Sequence, residues 1–240
     1  MAHTIAANGG PAAAAVRAIQ IGDISSLRQV LEDHPGLVNE RIDGQRTLLH
    51  VATDWPGNFP NNAVTVVVLI ASGAAVNSPF IGRHSETPLH WAASGNDVDV
   101  LDVLLDHGAD IEAPGGVIGG GTPLADAVSF GQWRAARRLV ERGAAATLWQ
   151  AAALGLMDRV KPYFAKDSSP SAAEVTQAFW CACHGGRRVA AEYLLGRGVD
   201  LNWVGYDGLT PLDAASRNGA ESVVDWLRGI GAKSATNLSE

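Results

Sequence analysis

The sequence predicts an all-α fold: a solenoid of about seven stacked helix-turn-helix units with hairpin-like fingers, irregular around the fifth unit. Three observations carry that expectation. A Thr-Pro-Leu opening recurs at Thr87, Thr122 and Thr210. Each Thr is followed 21 residues later by a Gly-Ala pair: Gly108-Ala109, Gly143-Ala144 and Gly231-Ala232. Between them, small residues are followed by paired aliphatics such as Leu104-Leu105, Leu139-Val140 and Val223-Val224. Self-similarity at a fixed period marks an array in which each unit buries its apolar face only against its neighbours.

In chain order, residues 1–12 read as a flexible N-terminal tail, 13–234 as a single repeat array and 235–240 as a flexible C-terminal tail. The first unit spans Ala13 to Asn39, marked by Gly22, Val30-Leu31 and Val38-Asn39. The second opens with Thr47-Leu48-Leu49-His50-Val51-Ala52 and reaches Gly73 after 26 residues. Five residues are therefore inserted, within or beside Asp54 to Pro60. The apolar run Ala63 to Val76 is fourteen residues long, short of the roughly 20 of a membrane span. Its first part, to Ala71, reads as a buried helix. The third and fourth units open at Thr87 and Thr122. The fifth, Thr147 to Phe164, follows Gly143 too closely for a finger, and Pro162 should kink or end its second helix. Thr122 to Thr210 spans 88 residues, eleven short of three periods, so a local break is expected near residues 147 to 172. Lys166 to Pro170 replaces the usual exit, and Ser171-x-x-Glu174 reads as a capping box opening the sixth unit. The seventh opens at Thr210.

Thr87-Pro88-Leu89-His90-Trp91-Ala92-Ala93 with its Gly-Ala-Asp ending resembles the ankyrin repeat family, in a style that looks bacterial. The residues have physical roles. Thr can cap the first helix, and Pro is preorganised for its first turn. Gly131 and Gly219 permit a left-handed turn between the two helices, and Asn96 tolerates the same conformation. His50 and His90 are expected to hydrogen-bond between adjacent fingers. Trp149 and Trp180 occupy the slot where the pattern has His. Asp99 and Asp102 on one outer helix align with Arg134 and Arg137 on the next.

The resemblance implies a non-catalytic protein–protein interaction module that binds through its concave face and finger tips. Candidate contact residues are those the repeat does not require: Phe80, Ile81, Arg83, His84 and Glu86 before Thr87, Val117 and Ile118 in the Gly-rich finger, and Trp203 and Tyr206 in the last finger. Exposed aromatics with a polar edge are frequent interface anchors. The alternative is a small-molecule site or enzyme on the inner face. Its raw materials are Asp54, Trp55, Trp91, Asp126, Phe130 and His184, with Asp54, His84 and Asp126 at its centre. A closed pocket joining those three favours a ligand, and an open groove with projecting aromatics favours a protein.

Composition narrows the classes. Eighteen basic against 25 acidic residues give a formal charge of −7, so no attraction to nucleic acid or anionic membrane is expected. Cys181 and Cys183 lack a second pair for a metal site and read as core filler in a reducing cytosol. No G-x-S-x-G, P-loop or H-E-x-x-H occurs, and no cofactor or metal is expected. Gly119-Gly120-Gly121 at a helix start could receive an anion, or serve as a flexible linker. The N-terminus does not read as a signal peptide. A cytoplasmic monomer is the expectation.

Overall fold

The computed structural model describes residues 4–5, 10–165 and 169–238. Within them lie fourteen α-helices, arranged as seven consecutive pairs. The pairs are α1 (Gly10–Ile21) with α2 (Ile24–Asp33), α3 (Leu48–Thr53) with α4 (Asn62–Ala71), and α5 (Pro88–Ser94) with α6 (Val98–Asp106). Then come α7 (Pro123–Ser129) with α8 (Trp133–Glu141), and α9 (Leu148–Leu154) with α10 (Met157–Val160). The last two are α11 (Ala172–His184) with α12 (Arg188–Leu195), and α13 (Pro211–Arg217) with α14 (Glu221–Gly229). The seven expected units are these seven pairs. The array expected as one run falls into two compact bodies, Met1–Ala144 and Ala145–Glu240.

In the N-terminal body the first helices α1, α3, α5 and α7 pack in sequence order, as do the second helices α2, α4, α6 and α8. The first helices approach closely because Ala15, Ala52, Ala92, Ala93 and Ala127 present only methyl groups, all fully buried. Larger residues fill the layer beneath: Leu27, Leu69, Leu101, Leu104 and Leu139 are all fully buried. Each such side chain contributes ~1.5–3 kcal/mol of transfer free energy. The turn between helices needs a left-handed residue; Gly131 has φ +69° and Asn96 adopts φ +56° in the same place. Asn96 also accepts the Ala135 N–H at 2.9 Å, tying the third repeat to the fourth.

Fingers are linked by asparagines at their base. Asn39 bridges the Gly73 carbonyl and the Ala75 N–H, both at 2.8 Å, and Asn77 does the same for Gly108 (2.9 Å) and Asp110 (2.8 Å). His50 and His90 behave as expected. Each Nδ1 accepts from the capping Thr of its own repeat, and each Nε2 reaches the next finger, at Glu86 O (3.1 Å) and Gly121 O (3.2 Å). Nδ1 accepts a backbone N–H, so the proton sits on Nε2 and each ring is neutral. Burial pushes His50 down to about 4 and His90 in the same direction.

The C-terminal body stacks α9, α11 and α13. Its core holds Val160, Val175, Phe179, Leu194, Val223 and Leu227. Pro162 ends α10 as expected, and the chain continues as a 3-10 turn over Lys161–Phe164. Ser171 and Glu174 form the expected capping box, with the Ser171 N–H donating to Glu174 at 2.8 Å. The thiols of Cys181 and Cys183 are buried and unbridged, and burial raises both above the ordinary thiol range.

Several expectations need correction. α1 begins at Gly10, inside the expected tail, and Thr4–Ile5 (β1) pairs in parallel with Arg41–Ile42 (β2). Residues 1–3, 6–9 and 239–240 of the expected tails, and 166–168 of the expected exit, lie outside the described residues. α4 is only half buried: Val64 and Val67 are 49% and 40% exposed. Asp102 pairs with Arg138 (2.8 Å) and Arg142 (2.7 Å), and Asp106 also meets Arg142. The partners are thus Arg138 and the α8 C-cap Arg142, on the face of α8 turned towards α6, and not Arg134 or Arg137. Trp149 stands one residue before the His slot, which Gln150 fills; its Oε1 accepts the Thr147 N–H at 2.8 Å.

Candidate functional site

The inserted segment after α3 creates a wall. Asn58 donates to Gly95 O (3.4 Å), Asn61 to Gly22 O (3.0 Å), and Asn62 to Ala52 O (3.0 Å) and Asp97 (2.8 Å). The segment is thereby fastened to the repeats on either side. It holds Trp55 outward, 86% exposed. Asp54 accepts the Trp55 N–H at 2.9 Å through Oδ1 and pairs with Arg46 through Oδ2.

Trp55 borders a cleft of about 240 Å³ that runs over three repeats of the N-terminal body. Asp54 and Trp55 come from the insertion, His84 and Glu86 from the next finger, Trp91 from α5, Val117 from the Gly-rich finger and Phe130 from the end of α7. Phe130 is 49% exposed, so two of the three aromatic walls project into solvent.

The floor is Glu86, which is buried. Its Oε2 accepts the Trp91 indole N–H at 2.7 Å, and its Oε1 accepts the Val117 N–H at 2.9 Å. His84 Nδ1 lies 3.1 Å from Glu86 Oε2, though not aligned for a hydrogen bond. Behind Glu86 stands Asp126, fully buried in α7. Burial, then the neighbouring Glu86 carboxyl, push Asp126 up to about 8; the Ile118 N–H opposes them weakly, at 3.4 Å. The Ile118 N–H reaches Oδ1, and Asp126 Oδ2 accepts no hydrogen bond. A proton retained there gives it a hydrogen bond to donate to Glu86. Neighbouring carboxyl groups in a dry site resist ionising together, which is why the proton stays on Asp126.

The Gly-rich finger closes over this pair. The Gly115 N–H bonds Gly120 O at 3.0 Å, and the Gly116 N–H bonds Gly121 O at 2.9 Å. Gly116 is obligatory, because a Cβ there would stand 2.8 Å from both Asp126 oxygens. The N–H groups of Gly120 and Gly121 are also spent inside the loop, on Gly116 O and Ile118 O. They are not offered to an anion.

The remaining expected residues are placed as follows. Ile81, Arg83, Val117 and Ile118 are exposed at the finger tips. Phe80 is not a projecting anchor. It stacks on His84 at 4.6 Å and leans on Trp91 at 5.6 Å, into space that Gly82 leaves open. Trp203 is half-buried and packs edge-on against Tyr206 at 5.9 Å. Tyr206 is 49% exposed, and its hydroxyl accepts from Gln177 at 2.6 Å. His184 lies in the C-terminal body, stacked on Trp180 at 5.3 Å, with Asn218 2.7 Å from its Nδ1.

Of the inner-face candidates, Asp54, Trp55, Trp91, Phe130 and His84 line one cleft, while Asp126 sits behind its floor. The sequence puts Glu86 among the finger contacts but not in the inner-face pocket, where the structure makes it the floor. Its meeting with Asp126 depends on the intervening Gly-rich finger, and no spacing rule connects residues 86 and 126.

Comparison with known proteins supplies the remaining findings. A family profile described as ankyrin repeats in three copies matches residues 12–115 and 59–147. A second, described as ankyrin repeats in many copies, matches 179–228. A palmitoyltransferase of Lachancea kluyveri is 34% identical over 94 residues, 39% of this chain and 12% of its own length. The RelA-associated inhibitor of Mus musculus is 39% identical over 94 residues, 38% of this chain and 10% of its own. A putative E3 ubiquitin-protein ligase of Arabidopsis thaliana is 30% identical over 94 residues, 39% of this chain and 19% of its own. The chain spans less than a fifth of the length of these relatives. They are eukaryotic and lend no support to a bacterial style. No described helix is long and apolar enough to cross a membrane.

Proposed function

Because the chain belongs to the ankyrin repeat family, whose repeats generally mediate protein–protein interaction, we propose that it binds a protein partner through the cleft and finger tips of its N-terminal body. The observation that carries this reading is the outward-facing aromatic wall, with Trp55 86% and Phe130 49% exposed beside a fixed cleft. A monomeric surface rarely leaves large rings out of contact beside a polar rim without a use for them. Ile81, Arg83, Val117 and Ile118 extend the same surface. Tyr206, with Trp203 behind it, offers a second contact on the C-terminal body. Three relatives with different named activities share a stretch of the same length, which suits a module reused for attachment. Two buried, unbridged cysteines suit a reducing compartment such as the cytosol.

A small-ligand reading has one observation in its favour: Asp54 and His84 line the same cleft. Its volume of about 240 Å³ falls below the ~300–1,000 Å³ of ordinary small-molecule sites. Asp126, the third group that reading needs, does not line it.

The test uses the full chain as bait in lysate of its source organism, beside a Trp55→Ala/Phe130→Ala variant whose circular dichroism matches the wild type. A protein captured by the wild type and lost by the variant is expected. If nothing is captured, and a metabolite library raises the melting temperature of the wild type but not of Asp54→Ala, the small-ligand reading replaces it.

A further inference from the structure

We propose that the cleft is built to take one basic side chain of the partner, its cationic head held among Trp55, Trp91 and Phe130 above Glu86. The inference deepens the protein-binding reading and rests on it. Aromatic rings attract cations through their quadrupoles, more strongly where water is excluded. Three of the ten lining residues are Trp or Phe, and two are carboxylates. Neither Lys nor Arg lines the cleft. A planar guanidinium suits this setting best, because it stacks on aromatic surfaces and is weakly hydrated. The cleft, at about 240 Å³, matches a single side chain better than a whole metabolite. A chain of formal charge −7 also steers a basic segment towards it.

The groups around Glu86 add a second feature. They are His84 on its own finger, His90 in α5, Asp126 in α7, and Asp54 with Arg46 on the preceding repeat. Arg41 and His50 complete the set from the second repeat. Among them Asp126 retains a proton because burial, and then the neighbouring Glu86, oppose a second negative charge. A cation in the cleft relieves that opposition, so Asp126 gives its proton to solvent when the basic side chain enters. Binding should therefore tighten as pH rises.

The experiment follows the indole N–H resonances of the intact protein by NMR, with the Trp91 signal assigned from Trp91→Phe. The probes are N-acetyl-arginine methylamide and its neutral citrulline counterpart. The arginine probe should shift the Trp91 signal saturably, bind at least fivefold tighter than the citrulline probe, and tighten severalfold between pH 6 and pH 8. Glu86→Gln should weaken it about tenfold. Trp55→Ala, which removes only an exposed ring, should also weaken it and does not depend on the floor staying intact. Equal binding of the two probes, or no saturable shift, overturns the inference. If the arginine probe fails while a partner is still captured through Trp55 and Phe130, only the basic-side-chain inference falls. If no partner is captured either, the protein-binding reading falls with it.

Discussion

In the N-terminal body His50 and His90 reach the carbonyls of Glu86 and Gly121; in the C-terminal body Trp180 Nε1 reaches that of Leu209 at 2.9 Å. All three acceptors immediately precede the Thr that caps the next repeat, at Thr87, Thr122 and Thr210. The position to be fastened is the same, and only the donor differs. Histidine combines the bridge with a cap on its own helix, but it can titrate. Tryptophan cannot titrate, and Trp180 sits deep in a thirteen-residue helix that Ser171 and Glu174 cap separately. The two bodies thus fasten the same position with bridges that differ in sensitivity to acid.

The comparison breaks most visibly at Trp180. Trp180→Ala should lower unfolding free energy by ~3–5 kcal/mol, because it deletes a large buried ring and orphans Leu209 O. Trp180→Phe keeps the bulk and loses only the donor, at ~1–3 kcal/mol. Urea unfolding at pH 7 measures both. Equal losses would mean that the bond, and not the packing, carries the cost.

Asp126 gives the N-terminal body a second titration with the opposite sign to histidine. Its folded pKa is raised, so the folded state keeps a proton that the unfolded chain has lost. Its stabilising share is present at acid pH and falls as pH rises from the ordinary carboxylate range towards 8. Asp126→Asn, which keeps a donor towards Glu86, should gain on the wild type by up to ~1.4 kcal/mol per pH unit, roughly 3 kcal/mol between pH 5 and 7. Thermal melts at matched ionic strength check the slope, and parallel curves would show that no proton is retained.

His50 supplies the acid-sensitive half. Its pKa is depressed to about 4 from 6.5, so stability is complete above pH 6.5 and is lost as pH falls through 4. The linkage amounts to roughly 3 kcal/mol. His50→Gln copies the cap that Gln150 makes in the fifth repeat, and removes both the bridge and the titration. The wild type should exceed it by ~1–3 kcal/mol at pH 7. That advantage should shrink towards pH 4, measured by urea unfolding across the range.

The smallest effect belongs to the ion cluster between α6 and α8. Asp102→Asn leaves Arg138 and Arg142 on a partly exposed surface. It should cost ~1 kcal/mol at low salt and little at 1 M salt. A salt-independent loss would point to packing.

The repeat grammar was legible because each signal is local. Thr-Pro openings, the left-handed turn at Asn96, the stop at Pro162 and the box at Ser171 need only a few neighbouring residues. The His bridges were also legible, since the pattern repeats them. What the sequence hid depends on register or on long-range closure. Gln150 takes the slot assigned to Trp149 by a one-residue shift, and Arg138 and Arg142 replace Arg134 and Arg137 because they share the face of α8 turned towards α6. Phe80 turns inward because Gly82 leaves room for it, which residue type alone does not signal. The five-residue insertion was visible, but its placing of Trp55 at the rim rests on Asn58, Asn61 and Asn62 bonding to repeats on either side. The Glu86–Asp126 pair was hidden longest, since forty residues and a folded glycine finger separate its members.

The most direct test of the binding account is site-specific photo-crosslinking in cells of the source organism. Benzoylphenylalanine would replace Trp55 at the cleft rim in one sample and Arg134 on an outer helix in the other. The account predicts a defined protein adduct from position 55 and none from position 134. An adduct from position 134 alone would contradict the account and place the partner on the opposite face of the repeats.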